Sequence, residues 1–293
     1  MDGVVATLRR FNRSYTQRIG VLDDSFLGSG RPLGPSRLLF EIGPGGAGVL
    51  DLRARLGLDS GYLSRLLRQL ESEGVVEVSS DPDDARRRVG TLTEHGLGEW
   101  SALDRKSDEL AERLVAPLSQ RQRQQLGEAL ATADRLLRAA TASFDAVDPE
   151  STDAIWALQQ YFAELDRRFP TGFDPGNALR GDAPSYRSPN GVFVVVHSDG
   201  EPVACGGAQR VDETTCEIKR MWVRAEWRGV GLGRRLLDHL EQRCRGLGGA
   251  RVVLDTNSVL TEAISMYERA GFRSTERYND NPYALRWFAK QLT

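Results

Sequence analysis

Three glycines at alternate positions stand directly before an amphipathic helical pattern in the C-terminal half of the chain. The segment reads RGVGLG from Arg228 to Gly233, and the leucines that follow it recur at helical spacing. Glycine lets a backbone approach a ligand closely, and a helix start offers unpaired N–H groups and the positive end of the helix dipole. The spacing therefore predicts an anion-binding loop.

The glycine spacing distinguishes this loop from two common nucleotide-binding loops. A dinucleotide-binding fold requires G-x-G-x-x-G after a continuous apolar strand, whereas the strand predicted here carries Glu217, Lys219 and Arg220. The lysine of a nucleotide P-loop is also missing. We therefore interpret the loop as a cradle for a diphosphate, surrounded by Arg228, Arg234 and Arg235.

The loop and its surroundings resemble the GNAT superfamily of N-acetyltransferases, whose signature is Arg/Gln-x-x-Gly-x-Gly/Ala. CEIKRMWVRAEWRG resembles the strand before the loop in that superfamily, and VVLDTNSVLTEAISMYERAGF resembles its next strand and helix. The resemblance extends from Ser151 to the C-terminus and is firmest over Cys216–Phe272. It implies acetyl-CoA as the donor. The residues expected to bind it are Met221, Trp222, Val223, Arg228, Gly229, Val230, Gly231, Leu232, Gly233, Arg234, Asn257, Ala263, Met266, Tyr267 and Arg269.

The chemistry of this superfamily requires an amine that attacks a thioester. The amine must first be neutral, so a base assists the reaction. Glu217 stands mid-strand beside the predicted site and is the candidate base, acting through water; the alternative is a structural partner for Lys219 or Arg220. The resemblance also implies that a backbone N–H near Trp222 or Val223 stabilises the oxyanion.

A tyrosine of the predicted helix after the next strand completes the catalytic set. The resemblance gives Tyr267 the role of general acid, which protonates the leaving CoA thiolate; the alternative is a core aromatic side chain. Asn257, at a strand end, would bond the pantetheine amides or else serve as a turn residue. The predicted catalytic residues are therefore Tyr267 and Glu217.

The acceptor pocket is the least defined part of the predicted site. The helix predicted over Asp153–Phe169 carries an apolar face that is most simply core. The resemblance makes this region one wall of the acceptor pocket and the segment YNDNPY another. An arginine there would bind the carboxylate of an amino-acid-like amine, or would simply be solvated. The acceptor-pocket candidates are Arg168, Phe173 and Tyr278.

A helix, a turn, a second helix and a hairpin follow one another in the N-terminal half. The first helix is predicted over Val49–Leu56, and Asp59 or Ser60 caps the second, which continues over Tyr62–Glu73. Two short β-rich runs then flank the loop Asp81–Arg88. The succession predicts a helix-turn-helix with a two-stranded wing, whose second helix enters a DNA major groove, about 12 Å wide.

These elements resemble the MarR family of regulators. The wing of that family reads Asp-Pro-x-Asp-x-Arg, an apolar residue, Leu-Thr and Gly, and DPDDARRRVGTLTEHG, which includes Pro82, matches it closely. Asp84 would be the carboxylate partner of Arg86. Members dimerise through terminal helices, which VVATLRRFNRSYTQRI and LSQRQRQQLGEALATADRLLRAA fit. The candidate DNA-contacting residues are Ser60, Tyr62, Ser64, Arg65, Arg68, Arg86, Arg87 and Arg88.

Length and composition set the wider limits. A chain of 293 residues suggests about two domains. The pattern changes near SFDAVDPESTD, so we predict a mainly-α winged helix-turn-helix domain at 1–147 and an α+β domain at 148–293, a mixed sheet flanked by helices. A net charge of −2 neither favours nor excludes nucleic acid. Three cysteines without CxxC spacing predict no metal site and a reducing cytoplasm, and no apolar run is long enough to span a membrane.

Together these features predict an acetyl-CoA-dependent N-acetyltransferase that acts on a small-molecule amine and is carried on a homodimeric regulator of palindromic double-stranded DNA. Two alternatives stay open. The C-terminal half would only sense acyl-CoA, which the presence of Tyr267 disfavours, or the winged half would only dimerise. Acidic residues slightly outnumber arginines around the recognition helix and wing, which keeps the second alternative open, with Arg86–Arg88 as a solvated loop.

Overall fold

The computed structural model describes residues 2–81, 84–176 and 182–292, so Pro82 of the wing pattern lies outside the described residues. The chain divides into two compact units, residues 1–128 and 129–293. We expected the division between 147 and 148. It lies earlier because Ser143–Val147 forms a strand that pairs with Phe193–His197 in the sheet of the second unit. No helix in the described part of the chain combines the length and apolarity needed to cross a membrane.

The first unit is mainly helical and carries a small antiparallel sheet. The sheet order is β1-β3-β2, so the wing has three strands where two were expected. The added strand is a two-residue bridge before the first helix of the helix-turn-helix. The elements are α1 (Asp2–Arg18), α2 (Leu33–Ile42), β1 (Ala47–Gly48), α3 (Val49–Leu56), α4 (Ser60–Ser72), β2 (Val76–Ser80), β3 (Arg88–Leu92) and α5 (Glu94–Val115), and α6 (Gln120–Thr141) crosses the division between the units.

The predicted helix-turn-helix corresponds to α3 and α4. Helix α3 ends at Gly57, which takes the left-handed conformation with φ 62°. The side chain of Asp59 caps α4, because its Oδ1 accepts a hydrogen bond from the Tyr62 N–H at 2.9 Å. The leucine face of α4 is buried as its spacing predicts, and it packs in one core with α2, α3 and β2. That core includes Leu38, Leu39, Leu52, Leu63, Leu66, Leu67, Leu70 and Val76.

The second unit is a seven-stranded mixed sheet flanked by helices, which is the predicted class of fold. Its strand order is β4-β5-β6-β7-β8-β10-β9, and among the described strands only the pair β7/β8 is parallel. The elements are β4 (Ser143–Val147), α7 (Thr152–Arg168), β5 (Gly191–Ser198), β6 (Glu201–Arg210), β7 (Thr215–Val223), α8 (Leu232–Gly246), β8 (Arg251–Thr256), α9 (Thr261–Arg269), β9 (Arg273–Ser274) and β10 (Arg286–Gln291).

The alternation of side chains along β5 shows how the sheet is covered. Val194 and Val196 pack with α8 and α9 on one face, while Phe193 and Val195 pack with α7 on the other. Because both faces are covered, β5 is apolar along most of its length. The two layers of helix leave the end of β7 and the start of α8 free to form a site.

Candidate functional site

The glycine loop leads directly into α8 and presents unpaired backbone donors. Gly229 and Gly231 take positive φ angles of 79° and 85°, and a Cβ on either would meet nothing within 4 Å. The N–H groups from Gly229 to Arg234 donate no hydrogen bond to any residue that the structure describes. Free N–H groups at a helix start, beside open space, fit a diphosphate.

Two arginines at this loop are held by intramolecular contacts. Arg228 Nε donates to the carbonyl oxygen of Val223 at 2.9 Å, and its guanidinium also pairs with Glu164. Arg234 Nε pairs with Asp238 Oδ1 one turn further along α8, at 2.9 Å. Both side chains line the cavity beside the loop. They supply positive charge at fixed positions, while the backbone supplies the free donors.

The third arginine does not surround the anion. Arg235 donates to the carbonyl oxygen of Ala139, and its guanidinium lies 5.0 Å from the ring centroid of Phe144. Its side chain therefore faces the strand β4 and the end of α6. The prediction for Arg235 is wrong, because on a helix it projects about 100° from Arg234.

The loop opens onto a cavity of about 540 Å³. Almost every residue expected to bind acetyl-CoA lies along it. Val230 is the exception within the loop, since its half-buried side chain packs against the apolar core. The expected residues that line the cavity are Met221, Trp222, Val223, Arg228, Gly229, Gly231, Leu232, Gly233, Arg234, Ala263, Met266, Tyr267 and Arg269.

Strands β7 and β8 separate at this cavity. They pair only from Thr215 to Glu217, and β7 continues without β8 beyond that point. The Arg224 N–H donates to Val203 of β6 at 3.0 Å. Because N–H directions alternate along a strand, the Trp222 N–H also points towards β6 and the Val223 N–H points to the side where β8 has separated. Of the two oxyanion donors considered, Val223 has the suitable direction.

Tyr267 lies on α9 where two cavities meet. Its side chain is buried, and its hydroxyl makes no hydrogen bond with any described residue. Burial raises the pKa of Tyr267 above its ordinary value, and the negative charge of Asp255 raises it further. A hydroxyl that stays protonated and faces a cavity is a suitable proton donor.

The second cavity has a volume of about 460 Å³ and an aromatic wall. Phe162 and Phe173 stack with ring centroids 5.6 Å apart, and Phe173 lies 4.6 Å from Tyr283. Phe173 is therefore at the pocket where it was predicted. The two cavities share a wall formed by Tyr161, Leu165, Met221, Leu260, Ala263 and Tyr267.

Glu217 and Tyr278 are hydrogen-bonded to each other, and neither lines either cavity. The Tyr278 hydroxyl donates to Glu217 Oε1 at 2.9 Å, and Gln209 Nε2 donates to Oε2 at 2.8 Å. Lys219 Nζ lies 3.2 Å from Oε1. The geometry favours a structural role for Glu217, as partner of Lys219, over the role of base. It also removes Tyr278 from the acceptor pocket, because its hydroxyl is directed into this buried network.

Arg168 and Asn257 also lie elsewhere than expected. Arg168 lines the first cavity and not the second, and its guanidinium pairs with Glu262 at 2.9 Å and Glu164 at 3.4 Å. Asn257 lines the second cavity and not the first. Its Nδ2 donates to the carbonyl oxygen of Tyr283 and its Oδ1 accepts from a nearby backbone N–H, so its side chain serves a turn.

Several residues of the cavities were not predicted from the sequence, and three of them bear on the chemistry. Tyr161 lines both cavities from α7, and its hydroxyl makes no hydrogen bond within the described residues. Asp255 lines the second cavity, where Asn279 and Asn281 donate to its oxygens at 2.5 and 3.0 Å. The position of Asp255 near the end of β8 is the sequence feature that could have indicated its place in the cavity. Arg220 also lines this cavity, and no periodicity indicated that it would.

The candidate DNA-contacting residues form an exposed surface of the first unit. Arg86 is 92% exposed and pairs with Asp84 Oδ1 at 3.2 Å, which is the partner that the MarR resemblance implies. Arg65 lies 5.6 Å from the ring centroid of Tyr62. The side chains of α4 that do not enter the core therefore face outwards together with the wing arginines. The exposed residues are Ser60, Tyr62, Ser64, Arg65, Arg68, Arg86, Arg87 and Arg88.

Comparisons with known proteins identify one family in each half of the chain. The Acetyltransferase (GNAT) family model matches residues 155–272, and the MarR family model matches residues 37–87. An uncharacterized N-acetyltransferase of Schizosaccharomyces pombe is 33% identical over 130 residues, which are 43% of this chain and 77% of the relative. The IAA acetyltransferase of Azospirillum brasilense is 31% identical over 117 residues, 40% of this chain and 76% of the relative. A GNAT-family acetyltransferase structure from Staphylococcus aureus is 18% identical with a TM-score of 0.47, covering 52% of this chain and 100% of that chain.

Proposed function

The chain belongs to the acetyltransferase (GNAT) family, and on that premise we propose that it transfers the acetyl group of acetyl-CoA to the amine of a small molecule bound in the second cavity. The observation that carries the proposal is the shared wall of the two cavities. A donor in the first cavity and an acceptor in the second would meet beside Tyr267. Holding two reactants at such a junction lowers the barrier by removing the entropy of their encounter.

Different residues at the junction assist different steps of the proposed reaction. The Val223 N–H is directed to the gap between β7 and β8 and supports the oxyanion that forms when the amine nitrogen attacks the thioester carbon. As the carbon–sulfur bond breaks, the Tyr267 hydroxyl gives its proton to the thiolate. The product amide loses a proton to water, and the tyrosine is reprotonated, so each turnover yields one amide and one free thiol.

The acceptor must also lose a proton before it attacks. Glu217 lines neither cavity, and both of its carboxylate oxygens accept hydrogen bonds in a buried network, so we do not assign it this role. Asp255 lines the second cavity, and its charge acts on Tyr267. We assign Asp255 to the binding of the ammonium form, with water in the cavity as the immediate proton acceptor.

The test is a set of primary amines offered together with acetyl-CoA. Transfer is measured as free thiol and confirmed by the mass of the acetylated amine. Thiol release that depends on the amine supports the proposal. Binding of acetyl-CoA without transfer to any amine would instead support a domain that only senses acyl-CoA.

We also propose that the winged half binds double-stranded DNA as a homodimer. The exposed surface of α4 and the Arg86–Asp84 pair favour it. Val4, Leu8, Phe11 and Tyr15 of α1 are exposed at helical spacing, as expected of a helix that packs against a second copy. The operator would then be a palindrome with half-sites about one helical turn apart.

A footprint on the DNA upstream of the protein's own coding sequence tests this second role. We expect protection of a two-fold symmetric site at nanomolar protein. Sedimentation of the free protein as a dimer, together with the absence of any protected site, would favour a winged half that only dimerises.

A further inference from the structure

We propose that the acceptor carries a carboxylate beside its amine, as an apolar α-amino acid does, and that Arg220 binds this carboxylate in the second cavity. This inference rests on the proposed acetyl transfer and defines its substrate class. It replaces the earlier expectation for Arg168, whose guanidinium lies in the first cavity between two glutamates.

The backbone of β7 directs Arg220 into the cavity. The register between β6 and β7 shifts by one residue between Cys205 and Gly207, which leaves an extra residue on β7. Arg220 sits at this bulge with φ 58°, a left-handed conformation that arginine adopts rarely. Strained backbone of this kind persists where the surrounding structure requires it, and it often marks a binding site. Here the bulge turns a buried arginine towards the second cavity.

The guanidinium of Arg220 retains free donors. It has five N–H groups, and its only hydrogen bond to a described residue runs from Nη2 to Asp182 Oδ2 at 2.6 Å. Every fully buried side-chain nitrogen or oxygen among the described residues has a partner. The unpartnered nitrogens of Arg220 must therefore reach the space of the cavity. A fork of free N–H groups is the geometry that matches a carboxylate.

Aromatic rings hold this guanidinium in place. Its carbon lies 5.0 Å from the ring centroid of Tyr186 and 5.9 Å from that of Phe162. Such contacts orient the planar group and limit its rotation. Asp182, its ion-pair partner, is 57% exposed, so water screens that pair and a second carboxylate can share the guanidinium.

The cavity carries charge of both signs, as a zwitterion requires. Lys219, which also lines it, lies 3.2 Å from Glu217 and 3.8 Å from Asp255. Burial raises the pKa of Tyr161, the negative charge of Asp255 raises it further, and the positive charge of Arg220 lowers it. Tyr161, Asp255 and Arg220 all line this cavity, so it holds a negative and a positive charge. An ammonium group near Asp255, beside Tyr267, and a carboxylate at Arg220 would satisfy both, and Phe169, Phe173 and Tyr283 offer an apolar wall to the side chain.

The experiment compares matched acceptors that differ only in the carboxylate. The pairs are phenylalanine and phenethylamine, tryptophan and tryptamine, and leucine and isopentylamine, each with acetyl-CoA and the full-length protein. Free thiol and product mass give kcat/KM for each. We expect the wild type to favour the amino acid of at least one pair by about 10-fold to 10²-fold, the value of a charge-assisted hydrogen bond. Phenylalanine methyl ester should behave like phenethylamine.

Arg220→Gln should remove this preference while the transfer to the simple amine stays within a few-fold. Arg167→Gln is the matched control, since Arg167 is an exposed arginine of α7 that lines neither cavity, and it should keep the wild-type ratio. If Arg220→Gln fails to fold, the inference is tested by the wild-type ratio of kcat/KM within each pair and by the methyl ester. Equal kcat/KM within every pair would overturn the inference while leaving the proposed function standing. Transfer to no amine at all would overturn both.

Discussion

The loop from Gly229 to Arg234 and the wing from Arg86 to Arg88 would bind a phosphate through different groups. The loop offers backbone N–H groups, and its arginines Arg228 and Arg234 are engaged in intramolecular contacts. The wing offers exposed arginine side chains. A backbone cradle is fixed in place and fits one ligand, whereas mobile side chains accommodate a long polymer and release its counterions. The loop also lies beside Tyr267, the proposed proton donor, and no such role is assigned to a residue of the wing.

The largest effect expected is at that proton donor. Tyr267→Phe removes a hydroxyl and little packing, so kcat should fall by about 10²–10⁴-fold while the affinity for acetyl-CoA is kept. Tyr161→Phe, also on the shared wall, is the matched control and should cost less than about tenfold. Because the pKa of Tyr267 is raised, its proton stays bound well into alkaline solution, and wild-type kcat should show no alkaline loss below its ordinary pKa near 10. Equal losses in the two variants would remove the distinction between the tyrosines.

The next effect tests the backbone cradle. Gly231→Val places a branched side chain in the open space at the loop, and the loss of one charge-assisted hydrogen bond or more should weaken acetyl-CoA binding by about 10-fold to 10²-fold. Gly248→Val is the control for backbone strain, because Gly248 has the same φ of 85° at the end of α8. Both variants should lose stability on thermal unfolding. Calorimetry should show weaker binding only for Gly231→Val; equal weakening in both would attribute the effect to strain.

A smaller effect is expected at the wing. In the double variant Arg86→Ala, Arg88→Ala, the slope of log K for operator DNA against log salt should become shallower by roughly 1.8, since each phosphate contact contributes roughly 0.9. Arg273→Ala, an exposed arginine of β9, is the control and should leave the slope unchanged. Acetyl transfer should be unaffected in all of these variants. An unaltered slope in the wing variant would show that Arg86 and Arg88 do not contact DNA phosphates.

The smallest effect sharpens the contrast. Arg234→Ala should change the affinity for acetyl-CoA by less than about threefold, because its guanidinium is already paired with Asp238 in a half-exposed ion pair and such pairs contribute little. The measurement is the acetyl-CoA dissociation constant at two salt concentrations. A loss of tenfold or more would show that the loop, like the wing, depends on its side chains.

The sequence predicted both halves of the molecule because their signals are local. The family resemblances, the leucine face of α4 and the glycine loop before α8 all follow from short-range spacing, and the family comparisons confirm the two resemblances. The strand β6 was missed because Gly206 and Gly207 weaken its pattern. In the fold these glycines lie beneath Leu240 and Tyr186, which leave no room for a Cβ.

Long-range pairing decided what the sequence left open. The sequence around Glu217 does not show whether this residue is a base or a structural carboxylate. The hydrogen bond from Tyr278, which is distant in the sequence, decides between them. Arg220 and Lys219 are neighbours on one strand, and the one-residue shift in register that turns Arg220 to the cavity depends on pairing with β6. The exposed leucine-rich helix Gln120–Thr141 gave no indication that the next residues would join a distant sheet.

The wall shared by the two cavities constrains how acceptor preference can diverge among descendants of this chain. A substitution at Met221 or Ala263 alters the donor and acceptor sides together, so selection for a new acceptor at these positions also disturbs the binding of the common donor. Phe173 and Tyr283 belong to the second cavity alone and are free of that constraint. Lineages that acquire new acceptors should therefore accumulate changes on the aromatic wall and retain the residues of the shared wall.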